Sequence, residues 1–309
     1  MEPTGKRSIR PEGIIALVAL ACLVLFLAVA IVCIPYYGRQ ADPAPLIHEK
    51  HLHQQEQEIA QPLEPTEQPT DETTEPTIPP EANPYDKFDF QYGRYNYLYC
   101  TQQDSFPGVD VSAFQGHIDW NQVKNSGIRF AMIRLGYRGY GQAGNMVEDE
   151  YARENLAAAR KAGLEVGAYF FSQATSIEEV DDEIFFFMKI LGDTELTMPI
   201  VLDWEYISDT ARTAYVDART LTDMQLHFCK TMEDFGYQPL VYFNWNQAEK
   251  LLYLNELEAY PFWLALYQDR MTYPYRVEMW QYTNTGRVPG IQGDVDINLY
   301  LPDAKKPWK

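Results

Sequence analysis

The sequence predicts an irregular, TIM-like (β/α)5(β)3 barrel, preceded by a single transmembrane helix and a disordered linker. Three observations carry that expectation. An unbroken apolar run lies near the N-terminus, and a tract rich in proline and acid follows it. Beyond residue 107, apolar runs of strand length alternate with helical stretches and then crowd together without them.

Residues 1–13 read as a short cytoplasmic segment. Ile14 to Ile34 are 21 consecutive apolar residues without a charge. At about 1.5 Å per residue, a helix of that length spans about 30 Å of hydrocarbon. Lys6, Arg7 and Arg10 precede it and only Arg39 follows closely. The excess of positive charge on the N-terminal side puts that side in the cytoplasm and the rest of the chain outside. Ala28-Val29-Ala30 offers a cleavage site, so a cleaved signal peptide is the alternative, and it also exports the chain. Residues 35–84 read as linker. From residue 40 to 84 there are nine prolines, ten acids and one lysine, a net charge of −9. Such a segment buries too little apolar surface to offset its ordering entropy. Residues 85–106 read as a Tyr-rich strap, because Tyr92, Tyr95, Tyr97 and Tyr99 recur at nearly alternate positions.

Residues 107–302 read as the barrel and 303–309 as a tail. The eight strand-like runs are Gly108–Ser112, Ile128–Gly136, Glu165–Ser172, Pro199–Glu205, Pro239–Asn244, Phe262–Tyr267, Glu278–Tyr282 and Val295–Asn298. Helical stretches separate the first five. Asp119-x-x-Gln122 and Ser176-x-x-Glu179 have the form of capping boxes. Leu221, Met224, Phe228, Met232 and Phe235 recur at helical spacing before Gly236, and Gly163 ends a helix that opens near Val147. An open doubly wound sheet is the competing fold, but no Gly-rich loop follows the first strand.

Composition narrows the function. The chain carries 44 acids against 25 basic residues, a net charge of −19. Nucleic-acid binding needs clustered Lys and Arg, so it is not expected. There is no CxxC pair and no HExxH, so neither a zinc site nor a redox dithiol is expected; the loops offer no dense Asp/Asn/Gly ligand set for a divalent cation, and no cofactor is expected. Cys100 and Cys229 are the two cysteines outside the apolar run. An exported domain permits a disulfide between them, with two separate buried thiols as the alternative.

The acids stand where strands end. Val201, Asp203 and Glu205 share one face of the fourth strand, with Ile200, Leu202 and Trp204 on the other. Asp110 ends the first strand, and Asp294, Asp296 and Asn298 share a face of the last. First and last strands are neighbours in a closed barrel, so Asp110 and Asp296 are expected beside Asp203 and Glu205 on the rim where barrel enzymes hold their chemistry. Tyr137, Tyr140, Tyr169, Phe171, Tyr242, Trp245, Tyr267, Trp280 and Tyr282 lie near the same strand ends. Aromatic faces stack on the apolar faces of sugar rings, which points to a carbohydrate cleft.

Four blocks in order then resemble one family. They are Gly108-Val-Asp-Val-Ser-Ala-Phe-Gln-Gly116, Pro199-Ile-Val-Leu-Asp-Trp-Glu205, Phe262-Trp-Leu-Ala-Leu-Tyr267 and the run from Trp280 to Asn298. Together they look like the lysozymes of glycoside hydrolase family 25. The resemblance implies a (β/α)5(β)3 barrel that cleaves the β-1,4 bond between N-acetylmuramic acid and N-acetylglucosamine in peptidoglycan glycan strands. It implies Glu205 as general acid, with Asp203, Asp110 and Asp296 as its carboxylate companions. Of the aromatic residues near the strand ends, Tyr137, Tyr169, Phe171, Tyr242, Tyr267, Trp280 and Tyr282 are the expected substrate contacts. Leu266 stands where a polar or basic residue is expected. Alternate residues of a strand lie about 6.6–6.8 Å apart, more than the roughly 5–5.5 Å of a carboxylate nucleophile pair. Attack by water and attack by the sugar's own N-acetyl group both stay open. A tethered, non-catalytic wall-binding module and a hydrolase of another wall polysaccharide are the rival functions; the first has no need of the acids.

Overall fold

In the computed structural model, which describes residues 80–302, the strand pattern closes on itself. The expected membrane helix, nearly all of the linker and the tail from 303 lie outside the described residues. Among the described residues, no helix is long and apolar enough to cross a membrane.

The first element among the described residues is an antiparallel hairpin of β1 (Phe90–Tyr92) and β2 (Leu98–Cys100). The alternating tyrosines do not form one strand. Asn96 takes a left-handed conformation (φ 61°), and the chain turns back between residues 93 and 96. Tyr97 goes inward, while Tyr92, Tyr95 and Tyr99 stay exposed.

The barrel follows in chain order. Its first half is β3 (Phe106–Val111), α1 (Trp120–Asn125), β4 (Phe130–Arg138), the short β5 (Met146–Glu148), α2 (Ala152–Lys161), β6 (Glu165–Ser172), α3 (Ile177–Leu191) and β7 (Ile200–Trp204). Its second half is α4 (Ala218–Asp234), β8 (Val241–Asn244), α5 (Trp245–Lys250), α6 (Leu254–Leu257), β9 (Phe262–Ala265), β10 (Met279–Gly286) and β11 (Val295–Tyr300). Around the sheet the strands run β7, β6, β4, β3, β11, β10, β9, β8, with β5 paired to β4. The ring closes between β7 and β8 by one bridge, Ile200 to Pro239. Pairing is parallel except for β11, which is antiparallel to both β10 and β3, and the edge pair β4–β5. This is a mixed α/β barrel. Helix α2 opens at Ala152; Val147 belongs to β5, an antiparallel addition to β4 that the helical reading of that stretch had concealed.

Four of the helix starts are fixed by side-chain caps. Asp119, Ser176, Asp217 and Asn244 each accept a backbone N–H from the third residue on, worth about 1 kcal/mol apiece. The Ser176 box is incomplete, since Glu179 turns back to the Thr175 N–H and hydroxyl rather than to Ser176. In α4 the residues Leu221, Met224, Phe228 and Met232 are buried at helical spacing, but Phe235 lies past the helix and is exposed.

Alternation splits the core into two layers. Phe130, Met132, Tyr169, Val201, Tyr242, Trp263, Met279 and Tyr300 fill the barrel. Ile200, Leu202, Trp204, Phe228, Trp280 and Val295 belong to the layer between barrel and helices. The hairpin joins that outer layer: Phe90 meets Trp280 edge-on at 5.2 Å, and the Leu98 N–H donates to the Tyr282 hydroxyl at 3.4 Å. Cys100 and Cys229 are both buried and both free, so the anticipated bridge is absent. One packs in the hairpin and the other on the inner stripe of α4, on different elements. Ahead of the hairpin, Ala82 bridges Tyr275, the Arg276 N–H donates to Glu81 O, and the Asn83 N–H donates to Pro274 O.

Candidate active site

Each acid is placed by its strand. Asp110 lies next to the last residue of β3, and across the antiparallel pair its register partner is Asp296, one residue into β11. Because β11 runs against its neighbours, its beginning and the end of β3 meet on one rim. Asp203 is the fourth residue of β7 and pairs in register with Phe171 of β6. Glu205 follows β7 directly and is half-buried. Asp110 and Asp203 are almost wholly buried.

Amides and hydroxyls hold these groups. Asp110 Oδ2 accepts from Gln281 Nε2 at 2.9 Å and from Asn298 Nδ2 at 2.7 Å. Asn298 Oδ1 takes the Trp263 indole N–H at 2.8 Å. The Tyr267 hydroxyl donates to Gln281 Oε1 at 3.1 Å, and the Tyr242 hydroxyl donates to Glu205 Oε1 at 3.2 Å. Tyr169 stands among the acids. Burial first, then the charge of Asp110 and more weakly of Asp203 and Asp296, drive its hydroxyl well above the ordinary tyrosine range, with Arg134 pulling the other way. The charges of Asp110, Asp203 and Asp296, from β3, β7 and β11, thus all act on this one hydroxyl.

Tyr137 is half-buried beside the Arg134 guanidinium, 5.4 Å from its ring. Phe171 faces the barrel side at the level of Asp203. Trp280 and Tyr282 require correction: they lie in the outer layer beneath the hairpin, 0% and 4% exposed, and the Trp280 indole donates to Leu266 O. The residue between them, Gln281, faces the acids instead. Trp245 likewise packs outward on Tyr273, and Tyr140 is half-buried with its carbonyl accepting the Arg212 N–H. Leu266 also points to the outer layer, so a polar residue there would not reach the rim. Asp294 is paired with Arg287 at the surface.

Sequence reasoning missed Gln281 and Arg134. Arg134 pairs with Asp149 at 2.9 Å, both buried, and Asp149 also accepts the Ala113 N–H that follows β3. Both residues had a signal: a long polar side chain inside an otherwise apolar strand of a barrel must face a polar interior.

Acids, amides and aromatic hydroxyls gathered on the rim where the parallel strands end and β11 begins define the rim site of a β/α-barrel protein. Residues 109–291 match the family described as Glycosyl hydrolases family 25. The match takes in more than half of the chain, and the protein belongs to that family. It is 28% identical over 222 residues to Lysozyme M1 of Streptomyces globisporus, covering 64% of this chain and 69% of that one. It is 29% identical over 210 residues to the uncharacterized protein YegX of Escherichia coli K12, covering 62% and 68%. Among solved structures it is similar in fold to the modular autolysin LytC from Streptococcus pneumoniae, with a TM-score of 0.58 at 24% identity. That likeness covers 68% of this chain, which spans only 50% of LytC; LytC has also been solved in complex with a synthetic peptidoglycan ligand. A family 25 glycosyl hydrolase from Bacillus anthracis gives a TM-score of 0.52 at 21% identity, covering 65% of this chain and 90% of that one.

Proposed function

We propose that this protein is a cell-wall lysozyme, hydrolysing the β-1,4 bond between N-acetylmuramic acid and N-acetylglucosamine, with Glu205 as general acid. The observation that carries the reading is the convergence of Asp110, Asp203 and Asp296 about Tyr169, on the rim that also receives Glu205. Family membership and the peptidoglycan ligand of LytC support the substrate class. Glu205 gives its proton to the glycosidic oxygen. The surrounding carboxylates stabilise the positive charge that develops on the sugar ring. Tyr137, Tyr169, Phe171, Tyr242 and Tyr267 line the cleft.

Mass spectrometry of muropeptides released from purified walls tests the bond, because the reducing-end sugar identifies it; N-acetylmuramic acid is expected there and N-acetylglucosamine would refute the assignment. Glu205→Gln keeps the shape and removes the proton donor. Lysis should fall by about 10²–10⁴-fold with the fold intact, and a folded variant lysing at the wild-type rate would remove Glu205 from the mechanism.

The same proposal anchors the protein in the cell membrane by Ile14–Ile34, with the barrel outside; the charge asymmetry around that run supports it. Protease added to wall-stripped cells should release a fragment beginning in the linker. Full protection alongside cytosolic markers would contradict the orientation.

A further inference from the structure

The strand that carries Asp203 and leads into Glu205 is only half paired. On its β6 side, β7 is in register from Ile200 to Trp204. On its β8 side, backbone pairing stops at Ile200, whose N–H donates to Gln238 O at 3.0 Å and whose carbonyl accepts the Leu240 N–H at 3.2 Å. Alternate carbonyls of a strand share an edge, so Leu202 O and Trp204 O face the same seam higher up. A buried carbonyl left without a donor costs about 1–3 kcal/mol.

Buried glutamines meet these carbonyls. Gln225 Nε2, from α4, donates to Leu202 O at 3.2 Å, and Gln247 Nε2, from α5, donates to Trp204 O at 2.6 Å. On the other edge Gln173 Nε2, just past β6, donates to Glu205 O at 2.7 Å. None of the three is more than 1% exposed. Two of them are themselves locked by their oxygens. Gln247 Oε1 accepts the Asn244 N–H at 2.9 Å, and Gln173 Oε1 accepts the Thr213 hydroxyl at 3.2 Å.

The geometry has a specific result. Trp204 O belongs to the peptide plane before the Glu205 Cα, and Glu205 O to the plane after it. With each plane held by one buried amide, φ and ψ of Glu205 are fixed, and so is the direction of its Cα–Cβ bond. We propose that Gln173 and Gln247 are positioning residues that aim the Glu205 carboxyl into the cleft, Gln173 from the β6 edge and Gln247 from the seam where β7 and β8 form no backbone ladder. The proposal rests on the reading of Glu205 as general acid.

The test uses soluble peptidoglycan fragments and the full chain. Misplacing a reacting group by about 1 Å costs about 10²-fold in rate. Gln173→Leu and Gln247→Leu should each lower kcat by that order while leaving KM within twofold, since the cleft that binds the glycan is untouched. Gln247→Glu adds a pH readout, taken only at pH values where circular dichroism shows the variant as folded as wild type, so that general loosening does not enter it. Its carboxylate repels Trp204 O, whereas its protonated form donates to it. The rate of this variant relative to wild type should therefore climb as pH falls. Folded leucine variants with kcat within twofold of wild type, or a loss confined to KM, would overturn the proposal. If the leucine variants do not fold, the isosteric glutamate variant decides, and a ratio to wild type that is flat with pH overturns it. A wild-type protein inactive on walls removes the lysozyme reading, and this proposal with it. An active wild type with indifferent glutamine variants removes this proposal alone.

Discussion

Glu183 has no exposed surface, and its Oε1 lies 2.6 Å from Arg138 Nε. Burial pushes its carboxyl up to about 7, against the opposing pull of Ser172 and Arg138. The folded pKa stands above the ordinary value of 4.5, so this group's contribution to stability is complete below about 4.5 and is lost as pH rises through about 7. Wild type should therefore lose stability relative to Glu183→Gln between those limits, by on the order of 3 kcal/mol, and the difference should level off above them. Urea denaturation of both proteins from pH 4 to 8 measures it; a constant difference would show that Arg138 offsets the burial in full. At this scale the acids were legible, because a carboxylate closing an apolar strand has few structural excuses. The direction of Trp280 and Tyr282 was not. In a barrel strand both faces are apolar, so an aromatic residue carries no mark of which layer it fills, and the informative residue was Gln281 between them.

Among the elements, the strands were readable from their apolar runs, α1 and α3 from their N-terminal caps, and α4 from its apolar spacing. Failure came where two or three residues decide. β5 is three residues long, and Asn96 reverses a chain whose tyrosines otherwise alternate like a strand. Gly167 shows how tightly the strands constrain one another. A Cβ there would lie 2.5 Å from Met132 Sδ and 2.5 Å from Pro199 O, the latter backbone that cannot swing aside. Gly167→Ala should cost about 1–3 kcal/mol, the range for overpacking a filled interior. A lowered urea midpoint with an unchanged slope is the expected result, and wild-type stability would show that β6 and β7 can part without penalty.

The barrel is asymmetric. Five βα units wrap one part of the barrel in helices, while β10 and β11 follow one another without a helix between them. The outer face of β10 is covered by the hairpin, with Phe90 packed edge-on against Trp280. The abrupt turn to Tyr and Phe after the linker marked this segment as something other than spacer, but nothing in it named the strand it would cover. Phe90 is 6% exposed. Phe90→Ala should remove about 3–5 kcal/mol, seen as a drop in Tm, even though the residue precedes the barrel. A change below about 0.5 kcal/mol would make the hairpin an ornament rather than a wall of the core.

The clasp of Glu81, Ala82 and Asn83 along residues 274–276 has a mechanical meaning. Pro80 and Glu81 lie with Phe262 and Glu278, where β9 and β10 begin, at the opposite end of the barrel from the acids. A pull transmitted along the preceding chain therefore arrives at the floor of the domain. The clasp takes that load first, through the Arg276 N–H to Glu81 O and the Asn83 N–H to Pro274 O. The acids stand at the other end, so a load entering at residue 80 meets the clasp before it meets the strands that hold them.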